Sequence, residues 1–220
     1  MKDNIPSRSF PVVNVLLIIA NLLVFAYGMT LGRHYEEFMY SNAVVPVQLV
    51  ADGFTGEQLV RLTTAMFLHG GWFHLLSNML YLWIFGDNVE GRMGHFKYLI
   101  FYLLTGYIAT IAHVLTDPQS PVPLIGASGA IAGVLGAYLI LFPRAKVLTL
   151  VFIFVFIQIV PIPAVVFLGL WFVLQLLSGA ANLTSQAAQG VAFWAHAGGF
   201  VAGILLVKLF ARREEYFNYQ

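Results

Sequence analysis

The chain has 220 residues, of which 60% are hydrophobic and only 10% are charged, and its mean hydropathy is +0.82. A soluble domain has roughly 45–50% apolar and about 25% charged residues, because its surface must be hydrated. The composition therefore excludes an ordinary soluble domain and indicates an integral membrane protein. The net charge of +1 argues against a nucleic-acid partner, and the lack of cysteine excludes disulfides, thiolate metal sites and a cysteine nucleophile.

Stretches without charged residues predict the membrane spans, since a helix needs about 20 apolar residues to cross the hydrocarbon core. The first stretch follows Lys2 and Arg8, as in a signal peptide, but it is longer than the roughly 7–15-residue apolar core of such a peptide. We interpret it as a retained first span. The uncharged stretches are 9–32, 62–86, 98–116, 118–143 and 147–207.

The distribution of basic residues predicts six spans with both termini in the cytoplasm. In that arrangement nine basic residues lie on the cytoplasmic side, and only Arg33 and Arg61 lie outside. This asymmetry is the positive-inside signature of membrane proteins. A seventh crossing would move the last basic cluster, Lys208, Arg212 and Arg213, to the outside.

The predicted fold is an all-α membrane protein, a six-helix bundle built as a single membrane domain over residues 1–220. A long first loop, 33–70, has an apolar content suited to the membrane interface. We interpret residues 147–160 as an interfacial or partly inserted approach to the fifth span, and the polar residues 182–190 as a loop. The spans are expected at about 10–31, 71–87, 96–115, 125–142, 161–178 and 192–210.

Four polar residues lie in the predicted spans at a similar depth. His74 and Asn78 are four residues apart and share one face of span two, Ser128 begins span four, and His196 begins span six. Spans two, four and six all enter the membrane from the outer face. Because polar groups are costly in lipid, this layer of side chains predicts a functional site.

Serine and histidine at the same depth indicate hydrolysis. A serine hydroxyl needs a base to take its proton, and imidazole suits that task at neutral pH. Asn78, His74 and the backbone N–H of Ser128 are candidate donors to an oxyanion. No carboxylate is expected at this depth, so a Ser-His dyad is favoured over a triad, with Asp117 in the third loop as an outside candidate.

Small residues predict close packing of spans four and six. Span six carries Gly199 and Gly203 as a GxxxG pattern, and such residues let transmembrane backbones approach closely. Ser128 and His196 have short reach, so a hydrogen bond between them requires that approach. The glycines of span four are Gly126, Gly129, Gly133 and Gly136.

Taken together, these residues resemble the rhomboid family of intramembrane serine proteases, over the chain from about Arg61 to Gly203. The matching motifs occur in the same order along the predicted spans. They are His69-x4-His74-x3-Asn78, Val89-Glu90-x-Arg92-x-Gly94, Gly126-x-Ser128-Gly129 and Ala195-His196-x2-Gly199-x3-Gly203.

The resemblance implies a serine endopeptidase that cuts transmembrane segments of other proteins near the outer face of the bilayer, with no cofactor and no metal. It implies that Ser128 is the nucleophile and His196 the general base, with His74 and Asn78 in the oxyanion hole. The expected location is a bacterial or archaeal cell membrane.

The resemblance also assigns supporting parts. Arg61 is similar to the family's first-loop arginine, and Glu90 and Arg92 are similar to a structural polar pair in the second loop. The fifth span would serve as a lateral gate through its aromatic residues, Phe167, Trp171 and Phe172.

Two points stay open at this stage. Ala132, one turn after the serine, stands where some relatives have an aromatic ring against the catalytic histidine. The sequence therefore does not say what positions the imidazole of His196, and Trp194 is too close along the chain to be an obvious replacement. The role of His69 is also undecided.

Two other classes of protein remain as alternatives. A catalytically inactive relative could bind and escort membrane proteins, although retention of both Ser128 and His196 argues against it. A small transporter could use the same polar groups, but it would more typically place them at the membrane midplane. A metal-dependent hydrolase is disfavoured because the sequence has no HExxH motif.

Overall fold

The computed structural model describes residues 2–7, 9–153, 156–184 and 192–212, and most of them are helical. Short 3-10 turns lie at Gly32–His34 and Ala65–Phe67, and a π-helical turn at Leu82–Gly86 joins two helices into one run. The helices are α1 (Val12–Thr30), α2 (Tyr35–Asn42), α3 (Pro46–Asp52), α4 (Gly56–Thr64), α5 (Trp72–Tyr81), α6 (Asp87–Met93), α7 (His95–Thr116), α8 (Ser128–Leu141), α9 (Ala164–Thr184) and α10 (Phe193–Phe210).

The long apolar helices bear out the membrane assignment. Four helices, α1, α7, α9 and α10, are long and apolar enough to cross a bilayer, and α8 is a shorter apolar helix. The second predicted span corresponds to the run of α5, the π-helical turn and α6. The part of the chain that the structure describes is therefore a bundle of apolar helices.

The prediction of an all-α protein is wrong in one region. Strands β1 (Lys2–Asp3), β2 (Lys146–Ile153) and β3 (Phe156–Pro163) form an antiparallel sheet in the order β1-β2-β3. The β2–β3 segment is rich in β-branched and aromatic residues, which favour strands. Its two prolines cannot donate the backbone hydrogen bonds of a helix interior.

The sheet also changes the bounds of the predicted fifth span. That span was expected at 161–178, but residues 161–163 belong to β3, and α9 continues to residue 184. Residues 182–184 of the expected loop belong to α9, and its residues 185–190 lie outside the described ranges.

The long first loop is folded, and it holds the segment that precedes α8. It contains α2, α3 and α4, and Val44 pairs with Leu124 as an isolated antiparallel bridge. The backbone N–H of Gly126 donates to the Ala65 carbonyl at 2.8 Å. These bonds fix the backbone just before Ser128.

Glu90 and Arg92 lie in a helix, which corrects their expected place in a loop. Both residues are in α6 and are buried. The Glu90 carboxylate accepts hydrogen bonds from the backbone N–H groups of Val13 at 2.9 Å and Asn14 at 2.7 Å. Because the first N–H groups of a helix have no partner within it, Glu90 caps α1 from outside.

Helix α10 packs chiefly against α8 and α7. A Cβ atom added at Gly199 would overlap the Gly129 carbonyl oxygen, and one added at Gly203 would overlap the Gly133 carbonyl oxygen. The two helices are thus in backbone contact along this line, as glycine pairs permit in membrane bundles. This contact sets the distance between the side chains at the N-terminal ends of the two helices.

Candidate active site

Ser128 and His196 lie together at the start of their helices. Ser128 is the first residue of α8, and His196 is in the first turn of α10. The Ser128 Oγ atom is 2.8 Å from Nε2 of His196, within hydrogen-bonding distance. Both residues are half-buried, so the pair is packed in the bundle and remains partly exposed.

The turn before Ser128 requires a glycine. Gly126 has a φ of +115°, which L side chains rarely adopt, and a Cβ atom there would lie 2.7 Å from Nε2 of His74. The missing side chain therefore lets the His74 imidazole approach the turn that precedes Ser128. The Ser128 amide is in the first turn of α8, where backbone N–H groups have no acceptor in the helix.

Asn78 is oriented by His69. The Asn78 side chain Nδ2 lies 2.9 Å from Nε2 of His69, and the amide N–H donates because amide nitrogen has no lone pair to accept with. His69 is buried, its carbonyl accepts from the Tyr35 hydroxyl at 2.5 Å, and its ring packs edge-to-face on His74 at 4.9 Å. One of the two Asn78 N–H groups is thus used by His69, and within the residues that the structure describes the other makes no hydrogen bond.

Sequence reasoning missed the partner of the other imidazole nitrogen. Nδ1 of His196 lies 2.7 Å from Oε1 of Gln175 in α9. Gln175 follows an apolar run from the start of α9, and a polar residue in such a run is a rare feature that could have indicated a site residue. An uncharged amide, unlike a carboxylate, does not by itself suggest a partner for a catalytic histidine. The acceptor at Nδ1 is this amide rather than Asp117, which follows the end of α7.

An aromatic ring also packs near the imidazole of His196, on the helix where a gate is expected. The Trp171 ring centroid is 5.9 Å from that of His196 at an interplanar angle of 35°. Phe172 stacks on Phe200 at 4.7 Å, and Phe167 stacks on Phe85 at 6.4 Å. The ring expected at position 132 in some relatives is therefore supplied by α9.

The remaining predicted residues lie away from the serine. Arg61 donates to Gln48 Oε1 at 2.8 Å and to Glu57 Oε1 at 2.7 Å, which ties α3 to α4. The Arg92 guanidinium lies over the Phe142 ring, 5.4 Å from its centroid. These contacts support the fold rather than the chemistry.

A small cavity of about 20 Å³ lies beside Ser128. Thr110 is the other hydroxyl residue on its wall, which is otherwise formed mainly by small residues of α7, α8 and α10. A cavity of this size holds about one water molecule. A larger groove of about 610 Å³ lies between α4 and α7, apart from these groups, and its lining carries no ionisable side chain except the Tyr107 phenol.

The arrangement can support acyl transfer. A hydroxyl faces an imidazole nitrogen, and the His74 ring and a helix N-terminal N–H lie at the turn that carries the hydroxyl, with Asn78 one helical turn beyond His74 in α5. These are the parts that activate a serine and stabilise a tetrahedral oxyanion.

Comparisons with known proteins all indicate the same family. The Rhomboid domain family model matches residues 56–213. The chain is 35% identical over 130 residues to the rhomboid protease GluP of Bacillus subtilis, covering 59% of this chain and 24% of that protein. It is 28% identical over 241 residues to RHOMBOID-like protein 1 of Arabidopsis thaliana, covering 94% of this chain and 55% of that protein.

A third relative is the mitochondrial Rhomboid protein 1 of Saccharomyces cerevisiae, 32% identical over 152 residues, which covers 66% of this chain and 40% of that protein. Across the relatives compared, the chain spans between 24% and 63% of their own length. Since the family model covers well over half of the chain, this protein belongs to the rhomboid family.

Proposed function

We propose that this protein is an intramembrane serine endopeptidase that hydrolyses peptide bonds in or near transmembrane segments of other membrane proteins. The observation that carries the proposal is the 2.8 Å contact between Ser128 Oγ and His196 Nε2, made by two helices in backbone contact. Membership of a family that includes named proteases supports it.

Acylation uses the dyad. His196 Nε2 accepts the proton of the Ser128 hydroxyl as Oγ attacks the scissile carbonyl carbon. The negative charge that develops on the carbonyl oxygen is stabilised by the free N–H of Asn78, by the Ser128 amide and by His74. The protonated His196 then gives its proton to the departing amine, and the acyl group stays on Ser128.

Deacylation needs water inside a protein that is largely surrounded by lipid. His196 takes a proton from that water as the water attacks the ester carbonyl. It gives this proton to Ser128 Oγ as the ester C–O bond breaks, so that the carboxylic acid product leaves and the serine hydroxyl is restored. The water-sized cavity beside Ser128 supports this step, because it offers room next to the reacting bond.

The proposed topology is six spans with both termini in the cytoplasm and the site toward the outer face of a bacterial or archaeal membrane. The excess of basic residues on the cytoplasmic side supports this orientation. The chain lacks cysteine, so single-cysteine variants report their own side without background. In intact cells, a membrane-impermeant maleimide should label Ser41→Cys in α2 and leave Pro143→Cys, after α8, unlabelled. The reverse pattern would overturn the orientation.

The first prediction concerns the dyad. Ser128→Ala and His196→Ala should each abolish cleavage of a model transmembrane substrate by the purified full chain, because nucleophile or base is lost. A fluorophosphonate probe should label the unaltered protein and not the Ser128→Ala variant. The matched controls are Ser41→Ala and His34→Ala, which change exposed residues of the first loop. Undiminished cleavage in the serine variant would refute the proposal that this chain is a serine peptidase that uses Ser128.

The second prediction concerns the oxyanion. Asn78→Ala should slow cleavage by about 10²–10³-fold through kcat, because one preorganised donor is lost. His69→Ala should slow it less, since the Asn78 amide stays in place and only its orientation loosens. Equal turnover in Asn78→Ala and the unaltered protein would remove Asn78 from the mechanism.

A further inference from the structure

Helix α9 contacts the catalytic histidine at two points that are one helical turn apart. Trp171 packs against the His196 ring, and Gln175, four residues later on the same face, bonds to Nδ1. The imidazole is therefore held by its face and by one nitrogen, while the other nitrogen faces Ser128.

The Gln175 contact decides where the single proton of neutral His196 resides. An amide oxygen can only accept a hydrogen bond, so Nδ1 carries the proton and donates it to Oε1. Nε2 is then left with a lone pair directed at the Ser128 hydroxyl, which is the form that a general base needs. With the opposite tautomer, Nε2 would present a hydrogen to Ser128 and could not accept its proton.

We propose that Gln175 is a positioning residue that holds His196 in the tautomer and orientation required to activate Ser128. The proposal rests on the proposed peptidase function, and it gives the Ser-His pair a third member. The site is then a Ser-His pair oriented by an uncharged amide.

An uncharged orienting group has a chemical consequence. A carboxylate at the same position would favour the imidazolium, whereas an amide orients the ring and adds no charge to a site beside lipid. The amide also has an N–H pair to satisfy, and the half-buried position of Gln175 lets those hydrogens reach solvent or polar lipid groups.

The test compares Gln175→Met with Gln175→Glu in the full chain, using Gln158→Met in the exposed part of β3 as the matched control. Methionine keeps the length and removes the acceptor, so kcat should fall about tenfold with KM unchanged. Glutamate restores an acceptor, so most of the lost kcat should return. Its charge should also move the acid-side midpoint of the pH–rate profile upward by about one pH unit.

If Gln175 only supported the structure, Gln175→Glu would neither restore kcat nor shift the pH–rate profile. Nitrogen-15 NMR of the six histidines, with His196 identified from the His196→Ala variant, reads the tautomer without any catalysis. The unaltered protein should show the proton on Nδ1, and Gln175→Met should shift it toward Nε2, the form that free imidazole side chains prefer in water.

The outcomes separate this proposal from the proposed function. Wild-type kcat in Gln175→Met, or a bare Nδ1 in the unaltered protein, overturns the role of Gln175 even if Ser128 is labelled by the fluorophosphonate. If no cleavage and no label occur, the peptidase function fails, and the NMR result still decides whether Gln175 sets the tautomer. If Gln175→Met fails to fold, the glutamate pH profile and the tautomer of the unaltered protein decide.

Discussion

Helix α10 contacts its two neighbours in different ways. Against α8 it packs through glycines, and the backbones touch at Gly199 and Gly203. Against α9 it packs through aromatic side chains, in particular Phe200 with Phe172 and Trp171. Of the most apolar stretch of α9, 17% is buried in the protein, whereas the value for α10 is 39%.

The difference shows how the site combines rigidity with access. Backbone contact has no soft side chain between the helices, so the α8–α10 contact holds Ser128 and His196 at a constant separation. Aromatic side chains can change rotamer, and most of α9 is not buried in the protein. The Ser128–His196 pair thus lies where α10 packs tightly on α8, and α9 contributes the two groups that contact the imidazole.

The largest effect is expected from filling the tight contact. Gly199→Leu places a side chain where the Gly129 carbonyl already lies, and backbone cannot move aside as a flexible side chain would. We expect a loss of about 3 kcal/mol in unfolding free energy and a fall in kcat of about 10²-fold or more from separation of the pair. Thermal unfolding in detergent and a cleavage assay measure both. Val201→Leu on the exposed face of α10 is the control, and equal behaviour of the two variants would contradict the backbone contact.

A smaller effect is expected from loosening the aromatic side. Phe172→Ala removes the stack on Phe200, and because Phe172 is only half-buried the loss of stability should be about 1–2 kcal/mol. Cleavage should stay within a few-fold of the unaltered protein or rise, since the tight contact is untouched and α9 moves more easily. Exposed Phe96→Ala is the control. A hundredfold loss of activity would mean that α9 packing is as critical as the α8–α10 contact.

The smallest effect is expected at the start of α9, which is linked to the sheet. The Ala164 N–H donates to the Ala145 carbonyl at 2.7 Å, and β2 pairs with β1. Asp3 of β1 is buried and accepts from Asn88 Nδ2 at 2.8 Å and from the Tyr138 hydroxyl at 2.5 Å.

Burial raises the pKa of Asp3 from 3.8 to about 6, the nearby Asp87 adds to the rise, and the Tyr138 hydroxyl opposes it. A pKa above the unfolded value means that docking of β1 is favoured at low pH and weakens as the pH rises through about 6. The protection factors of the β1–β2 amides, which are the exchange rates corrected for the intrinsic base-catalysed rate at each pH, should therefore be lower at about pH 7.5 than at about pH 5. Asp3→Asn should remove this difference, and an unchanged pH dependence in that variant would show that another group is responsible.

Particular residues show what could be predicted. His74, Asn78, Ser128 and His196 were selected because polar groups in lipid are rare, and the structure brings Ser128 and His196 into hydrogen-bonding distance. Gln175 met the same criterion but was passed over, because an uncharged amide does not suggest a catalytic partner until its neighbour is known. His69 could not be assigned, since its role depends on a contact with Asn78 across a turn.

Strand β2 illustrates the limit for secondary structure. The hydropathy of its residues suits a membrane helix, whereas their β-branched side chains favour a strand. The strand forms because β2 pairs with β1 and β3.

The sequence by itself determined that this is a membrane protein of the rhomboid family, because hydropathy, glycine spacing and the rarity of polar residues in lipid are properties of the chain read in order. Only the tertiary structure decided which group holds His196, how the first loop supports the Ser128 turn, and where Glu90 caps α1. These contacts join residues that are far apart along the chain, and their formation depends on distances and directions that no local pattern encodes.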